Sequence, residues 1–275
     1  MKPSALGFAT PVALALAVIG VLLVTPAKVM ARMPPGELGR LVLVLQIDPR
    51  AAQAQAAEFG SPTTADAIFR SLPILRARLA ALGVRGGDVR QEGNDRIVVE
   101  APGLTDSPRF RAVMTDAAHL TFQLVDDSYA PQASDAGPLP PDDVLLPDLS
   151  RPCDGVCRLA VKRRAWITGG MIAHAQLGFD PQINRPVVQF RLDSAGALRF
   201  AAATRENVGH RFAIVFDGKV ITAPRVQSPI LGGQGEITGD FTMESASDLA
   251  LLLRSGELPA PLMIVERRQE PSHGA

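Results

Sequence analysis

The sequence carries no net charge: its 28 basic and 28 acidic residues cancel over 275 positions. That balance argues against nucleic acid or an anionic surface as the main partner. Histidine is also sparse. His119, His174, His210 and His273 are scattered without an i, i+4 pair, so no metal site is written in their spacing. No cluster of nucleophile and base stands out either. Asp193-Ser-Ala-Gly196 lacks the leading glycine of a nucleophile elbow, and no Lys-Ser or Lys-Thr follows Gly232-Gly-Gln-Gly235. These absences favour a handling surface over a catalyst, with no cofactor. After residue 30 no apolar run approaches the roughly 20 residues that a bilayer span needs. Only two cysteines occur, Cys153 and Cys157. In an exported protein so close a pair reads as a small disulfide loop, with free thiols or a redox or metal role as alternatives.

What is present fits a folded chain: 47% apolar and 20% charged residues. Residues 3 to 27 hold no charge, which directs the N-terminus to a membrane. Ala5 to Val24 would form a helix about 30 Å long, enough for an anchor. The alternative is a cleaved signal, with Val12 to Val24 as the apolar core and Val29-Met-Ala31 as the cleavage site. Either way the body is exported.

Beyond Pro34-Pro-Gly36 the spacing predicts a strand at Leu41 to Ile47. A helix follows from Thr63, with Ile68, Leu72, Leu75, Leu79 and Leu82 inward and a kink at Pro73. A short strand near Val89, a strand at Arg96 to Ala101, a helix from Ser107-Pro108 and a strand at Leu120 to Val125 complete the order. Strand, helix, strand, strand, helix, strand is the split βαβ arrangement of ferredoxin-like folds. Tyr129 to Pro152 reads as a linker, Asp126-Asp127 and Asp142-Asp143 as solvated loop pairs, and Lys162-Arg-Arg164 as a solvated strand end. A mainly β unit follows. Asp193 caps a helix with Leu198, Ala201 and Ala202 inward; Asp217-Gly218 joins a hairpin of Phe212 to Phe216 and Val220 to Thr222. Thr242 opens a last helix, stopped by Gly256, before a short strand at Leu262 to Val265.

The wording of these pieces resembles the first periplasmic domain of the SecD family of protein-export subunits. The likeness rests on Phe190-Arg-Leu-Asp-Ser-Ala-Gly196, Thr204-Arg-Glu-Asn-Val-Gly209, Ala213-Ile-Val-Phe-Asp-Gly-Lys-Val-Ile-Thr-Ala-Pro224, Ile237-Thr-Gly-Asp-Phe-Thr242 and Leu249-Ala-Leu-Leu-Leu-Arg-Ser-Gly-Glu-Leu-Pro-Ala-Pro261. A weaker match covers Ile74 to Leu79, Asp95 to Gly103 and Leu120 to Phe122. Where the family carries Gly-Leu-Asp-Leu-x-Gly-Gly, this chain reads Glu37-Leu-Gly-Arg-Leu-Val-Leu-Val-Leu-Gln-Ile-Asp48. The later membrane helices that carry the family's proton-coupling acid are expected to be missing.

The resemblance implies an α+β fold: one N-terminal membrane helix (1–30), a ferredoxin-like base (37–127), an inserted, mainly β head (128–257) and a return strand to the base (258–270). It implies a single-pass inner-membrane protein with its body in the periplasm. The expected role is accessory to Sec-dependent export, capturing emerging polypeptides without a proton-driven motor of its own. Expected partners are Sec translocon components, unfolded secretory polypeptides and a separate membrane subunit. The alternative is an exported scaffold or polypeptide-binding module unrelated to translocation. Phe212, Phe216, Ile230 and Phe241 are candidates for the polypeptide surface, against the plainer reading of each as a core residue. Asp127 and Leu258 mark a candidate hinge at the two chain crossings, against the plainer reading of a fixed interface.

Overall fold

The computed structural model describes residues 39–49, 63–129, 137–150 and 157–271. The N-terminal segment and Cys153 lie outside them. Among the described residues, no helix is long and apolar enough to cross a membrane.

The base is built from β1 (Arg40–Ile47), α1 (Thr64–Ala81), β2 (Asp88–Glu92), β3 (Arg96–Pro102) and α2 (Pro108–Thr115). Helix α1 starts where the Thr63 side chain accepts from Asp66 N, and α2 where Ser107 accepts from Phe110 N. Leu41, Leu43 and Leu45 alternate onto the face that α1 covers with Ile68, Leu75 and Leu79.

Leu120–Val125, expected as the fourth strand of this base, belongs elsewhere. The fourth place is taken by β12 (Leu262–Glu270), which pairs antiparallel with β1 in the order β12-β1-β3-β2. The exchange follows from burial. Leu-Thr-Phe-Gln-Leu-Val is buried at nearly every position and needs neighbours on both sides, whereas Leu-Met-Ile-Val-Glu-Arg-Arg-Gln-Glu suits a solvated edge. The Leu120–Val125 strand, β4, accordingly lies at the centre of a five-stranded head sheet.

That sheet also contains β5 (Asp143–Pro147), β6 (Arg158–Thr168), β9 (Phe212–Phe216) and β10 (Lys219–Thr222), in the order β10-β9-β4-β6-β5. Strand β5 falls within the stretch expected to be a linker. Its end curls back to β10 through a parallel bridge from Asp148 to Val220, with Leu149 N donating to Val220 O at 2.8 Å. Val125, Leu159, Val161 and Val215 pack together on one face. A three-stranded sheet of β7 (Ile172–Phe179), β8 (Pro186–Leu192) and β11 (Gln234–Ile237), in the order β11-β8-β7, shares a second core with the five-stranded sheet. Between them packs α3 (Ser194–Glu206), which buries Gly196, Phe200, Ala203 and Thr204. Leu198, expected inward, is exposed.

Helix α4 (Met243–Ser255) opens with a Thr242–Ser245 capping box and belongs to both halves. Ala246, Leu249, Ala250 and Leu253 enter the head core, whereas Leu251 and Leu252 enter the base core. Burying each leucine contributes about 1.5–3 kcal/mol, so this one helix ties the two cores together.

Candidate functional site

The head holds an apolar cavity of about 280 Å³. Its floor is a triad of phenylalanines, Phe122 from β4, Phe190 from β8 and Phe200 from α3. Their ring centroids lie 5.4, 5.8 and 6.3 Å apart in edge-on contacts, the arrangement that ring quadrupoles prefer. Alternation along β8 places Phe190 on the same face as Val188 and Leu192. Gly235 on β11 permits this, because a Cβ there would stand 2.7 Å from the Phe190 ring. One wall is Phe212; the rim is the loop after Pro224, which ends at Ile230.

Of the four residues expected to contact polypeptide, two meet here. Phe212 is buried in the head core and lines the cavity from inside. Ile230 is 36% exposed at the rim, where its N–H donates to Thr204 Oγ1 at 2.9 Å. Phe216 is half-buried and packs against both cores, and Phe241 packs on the edge of the head core; neither reaches the cavity. Sequence reasoning missed Phe122, Phe190 and Phe200. The signal was available in the scarcity of aromatics and in the β8 alternation.

Strand β11 forms the cavity's open side. Among the described residues it pairs only with β8, and Leu192 N donates to Gly233 O. That bond fixes the phase: residues 233, 235 and 237 turn their backbone groups to β8, and Gln234 and Glu236 turn theirs to the free edge. On the sheet's outer face Gln176, Gln189 and Glu236 form a hydrogen-bonded ladder across all three strands.

The chain crosses between base and head at residues 116–119 and 256–261. Asp127, one candidate hinge residue, is not at a crossing. It lies beyond the far end of β4, paired with Arg211 at 2.5 Å. Leu258 is at the second crossing, fully buried, and its N–H donates to Ala117 O at 2.8 Å, joining the two connections. Arg78 of α1 bolts them further. Its buried guanidinium donates to Val113 O (2.9 Å), Asp116 O (2.6 Å), Gly256 O (3.1 Å) and Ser255 Oγ (3.3 Å). Burial lowers the Arg78 pKa to about 10, with Asp116 and Asp217 opposing the shift, so it stays charged at neutral pH.

The acidic pairs are not simply solvated. Asp143 is fully buried, and Lys162 holds it at 2.7 Å while reaching Asp126 at 2.9 Å. The Ser128 and Lys162 donors hold Asp126 well below the usual carboxylate range, whereas burial pushes Asp143 up. Cys157, just before β6, is disulfide-bonded. Among the described residues, no group of three or more His, Cys, Asp or Glu is placed to hold a metal ion.

Residues 147–260 match the SecDF P1 head subdomain, and residues 68–127 match the N-terminal P1 domain of protein translocase subunit SecDF. Among curated relatives, the protein translocase subunit SecD of Acetobacter pasteurianus is 39% identical, over 86% of this chain and 43% of its own length. The SecD of Rickettsia bellii is 37% identical, over 76% of this chain and 40% of its own length. The chain thus spans about two fifths of these relatives. A crystal structure of SecDF in its super-membrane-facing form superposes with a TM-score of 0.66 at 31% identity, covering 86% of this chain and 32% of that one. A solved structure of the membrane component SecDF that enhances protein export is also 31% identical, with a TM-score of 0.60; the match covers 82% of this chain and 99% of that one. With sequence and architecture agreeing over nearly the whole of that solved chain, this protein belongs to the SecD/SecDF family and carries its P1 base and head.

Proposed function

We propose that this chain serves Sec-dependent export from the outer side of the inner membrane, where its head captures emerging polypeptide in extended form. The carrying observation is the apolar cavity beside the free edge of β11. An extended segment pairing with Gln234 and Glu236 would send alternate side chains toward the phenylalanine floor, which combines backbone affinity with side-chain selection. The remaining roles are proposals of the same kind. Residues 5 to 24 would anchor the chain in a single pass, and Sec translocon components and a separate membrane subunit would be its partners. Capture without a proton-driven motor of its own is proposed likewise, on the ground that residues 3–27 hold no charged side chain.

The test is a photocrosslinking amino acid at Ile230 at the rim, with exposed Leu198 on α3 as the control position. Capture of a secretory precursor at Ile230 alone, lost when precursor synthesis is blocked, supports the reading. Equal capture at both positions, or capture indifferent to precursor synthesis together with normal secretion in a deletion strain, favours an exported scaffold unrelated to translocation.

A further inference from the structure

The neck between base and head concentrates charge in a way that its mechanical role does not require. Four segments meet there. Arg78 comes from α1; Asp116 and His119 lie on the first crossing; Asp217 and Lys219 belong to the β9–β10 turn; Glu257 lies on the second crossing. The Asp217 carboxylate accepts from His119 N at 2.8 Å and Ala118 N at 3.3 Å, and Asp217 N donates back to His119 O at 2.9 Å. The head's hairpin is thereby tied to the strand that leaves the base. His119 Nδ1 contacts Glu257 Oε1 across the two crossings, with both side chains mostly buried.

Among the described residues of the neck, Arg78 and Lys219 carry positive charge against the three carboxylates. One negative charge is in excess until His119 takes up a proton. Only the protonated imidazole forms an ion pair with Glu257, and imidazoles change charge between about pH 5 and 8. We propose that the neck is a proton-tightened latch: with His119 protonated the charges balance and head and base are locked, and on deprotonation the uncompensated carboxylates loosen the junction. The two other acids act in the same sense. Burial raises the pKa of Asp217 and of Asp116, and the Asp217 carboxylate raises that of Asp116 further. An intact neck therefore holds protons more readily than a separated one. Its stabilisation is complete at low pH and fades as pH rises through these raised values. The inference stands independently of what the cavity binds.

Amide hydrogen exchange on the full chain at pH 5.5 and pH 8.5, corrected for intrinsic exchange, tests it. Segments covering residues 116–120 and 256–261 should lose protection severalfold at the higher pH. Strands β1 and β8 should stay protected. The step should shrink in both His119→Gln and Glu257→Gln, which remove charge and keep shape, and Asp217→Asn serves if either fails to fold. Equal neck protection at both pH values overturns the latch. So does an undiminished step in the variants, or a loss shared by β1 and β8, which would mean global unfolding.

Discussion

Replacing Arg78 with methionine tests the bolt at the neck. The side chain is fully buried and satisfies three backbone carbonyls and one hydroxyl. Methionine fills much of the volume but donates nothing, so the carbonyls of Val113, Asp116 and Gly256 lose a charged partner. Hydrogen bonds to a charged group contribute about 1.5–3 kcal/mol each, and removing one member of a buried charged network costs about 3–5 kcal/mol in all, the bonds not being additive. We adopt the latter figure. At about 2–4 °C per kcal/mol for a body of this size, Arg78→Met should melt roughly 6–20 °C lower. Urea titration followed by circular dichroism gives the free energy directly. Lysine, which keeps the charge but cannot reach both crossings from one ammonium, should recover only part of the loss. A cost under about 1 kcal/mol for Arg78→Met would refute the reasoning, because it would mean that water or backbone movement satisfies the carbonyls without the guanidinium.

Two further outcomes follow from the head. Lys162→Met leaves Asp126 and Asp143 facing each other without a cation, so both carboxyls should titrate higher. The variant's deficit, about 1–3 kcal/mol at pH 7 for a buried unpaired acceptor, should then narrow as pH falls toward 4.5 in paired urea titrations; a constant deficit would contradict this. Gly235→Val drives a side chain into the Phe190 ring and should close the cavity to one Leu-sized group. Losing about 1.5–3 kcal/mol of burial corresponds to roughly 10- to 100-fold weaker binding of an unfolded apolar peptide by fluorescence anisotropy; unaltered affinity with an unaltered melting temperature would remove the cavity from the binding account.

Local chemistry was legible in the sequence where neighbours along the chain decide it. The Asp217-Gly218 turn has φ of 45° and 73°, the primed-turn pattern that the sequence predicts, and the Thr63, Ser107, Asp193 and Thr242 caps all form. Pairing across long separations was not legible. Nothing within Leu120–Val125 says that it joins β6 and β9, because a strand's partners are set by the whole surface that must be buried. Strand β5 escaped notice because its five residues sit among prolines and aspartates, and it exists by pairing with β6. For the site, Phe212 and Ile230 were legible as apolar residues near turns. The phenylalanine floor required knowing that β4, β8 and α3 converge. Arg78 carried an unread local signal: it sits on the same helical stripe as Leu75 and Leu79, where a charge demands a buried partner.

Where the described chain enters and leaves the base bears on how it carries load. Arg40 lies opposite Glu270, at the end of the base sheet away from the neck, and eight residue pairs run from there to Ile47 opposite Leu262. A pull on the head therefore acts lengthwise along β1 and β12 together, and their hydrogen bonds resist sliding side by side. Were the strands drawn apart at one end, the same bonds would open one after another like a zip. Loaded in this way, the base would act as a stiff stalk: tension at the head would reach Arg40 and Glu270 side by side, with little stretch lost between.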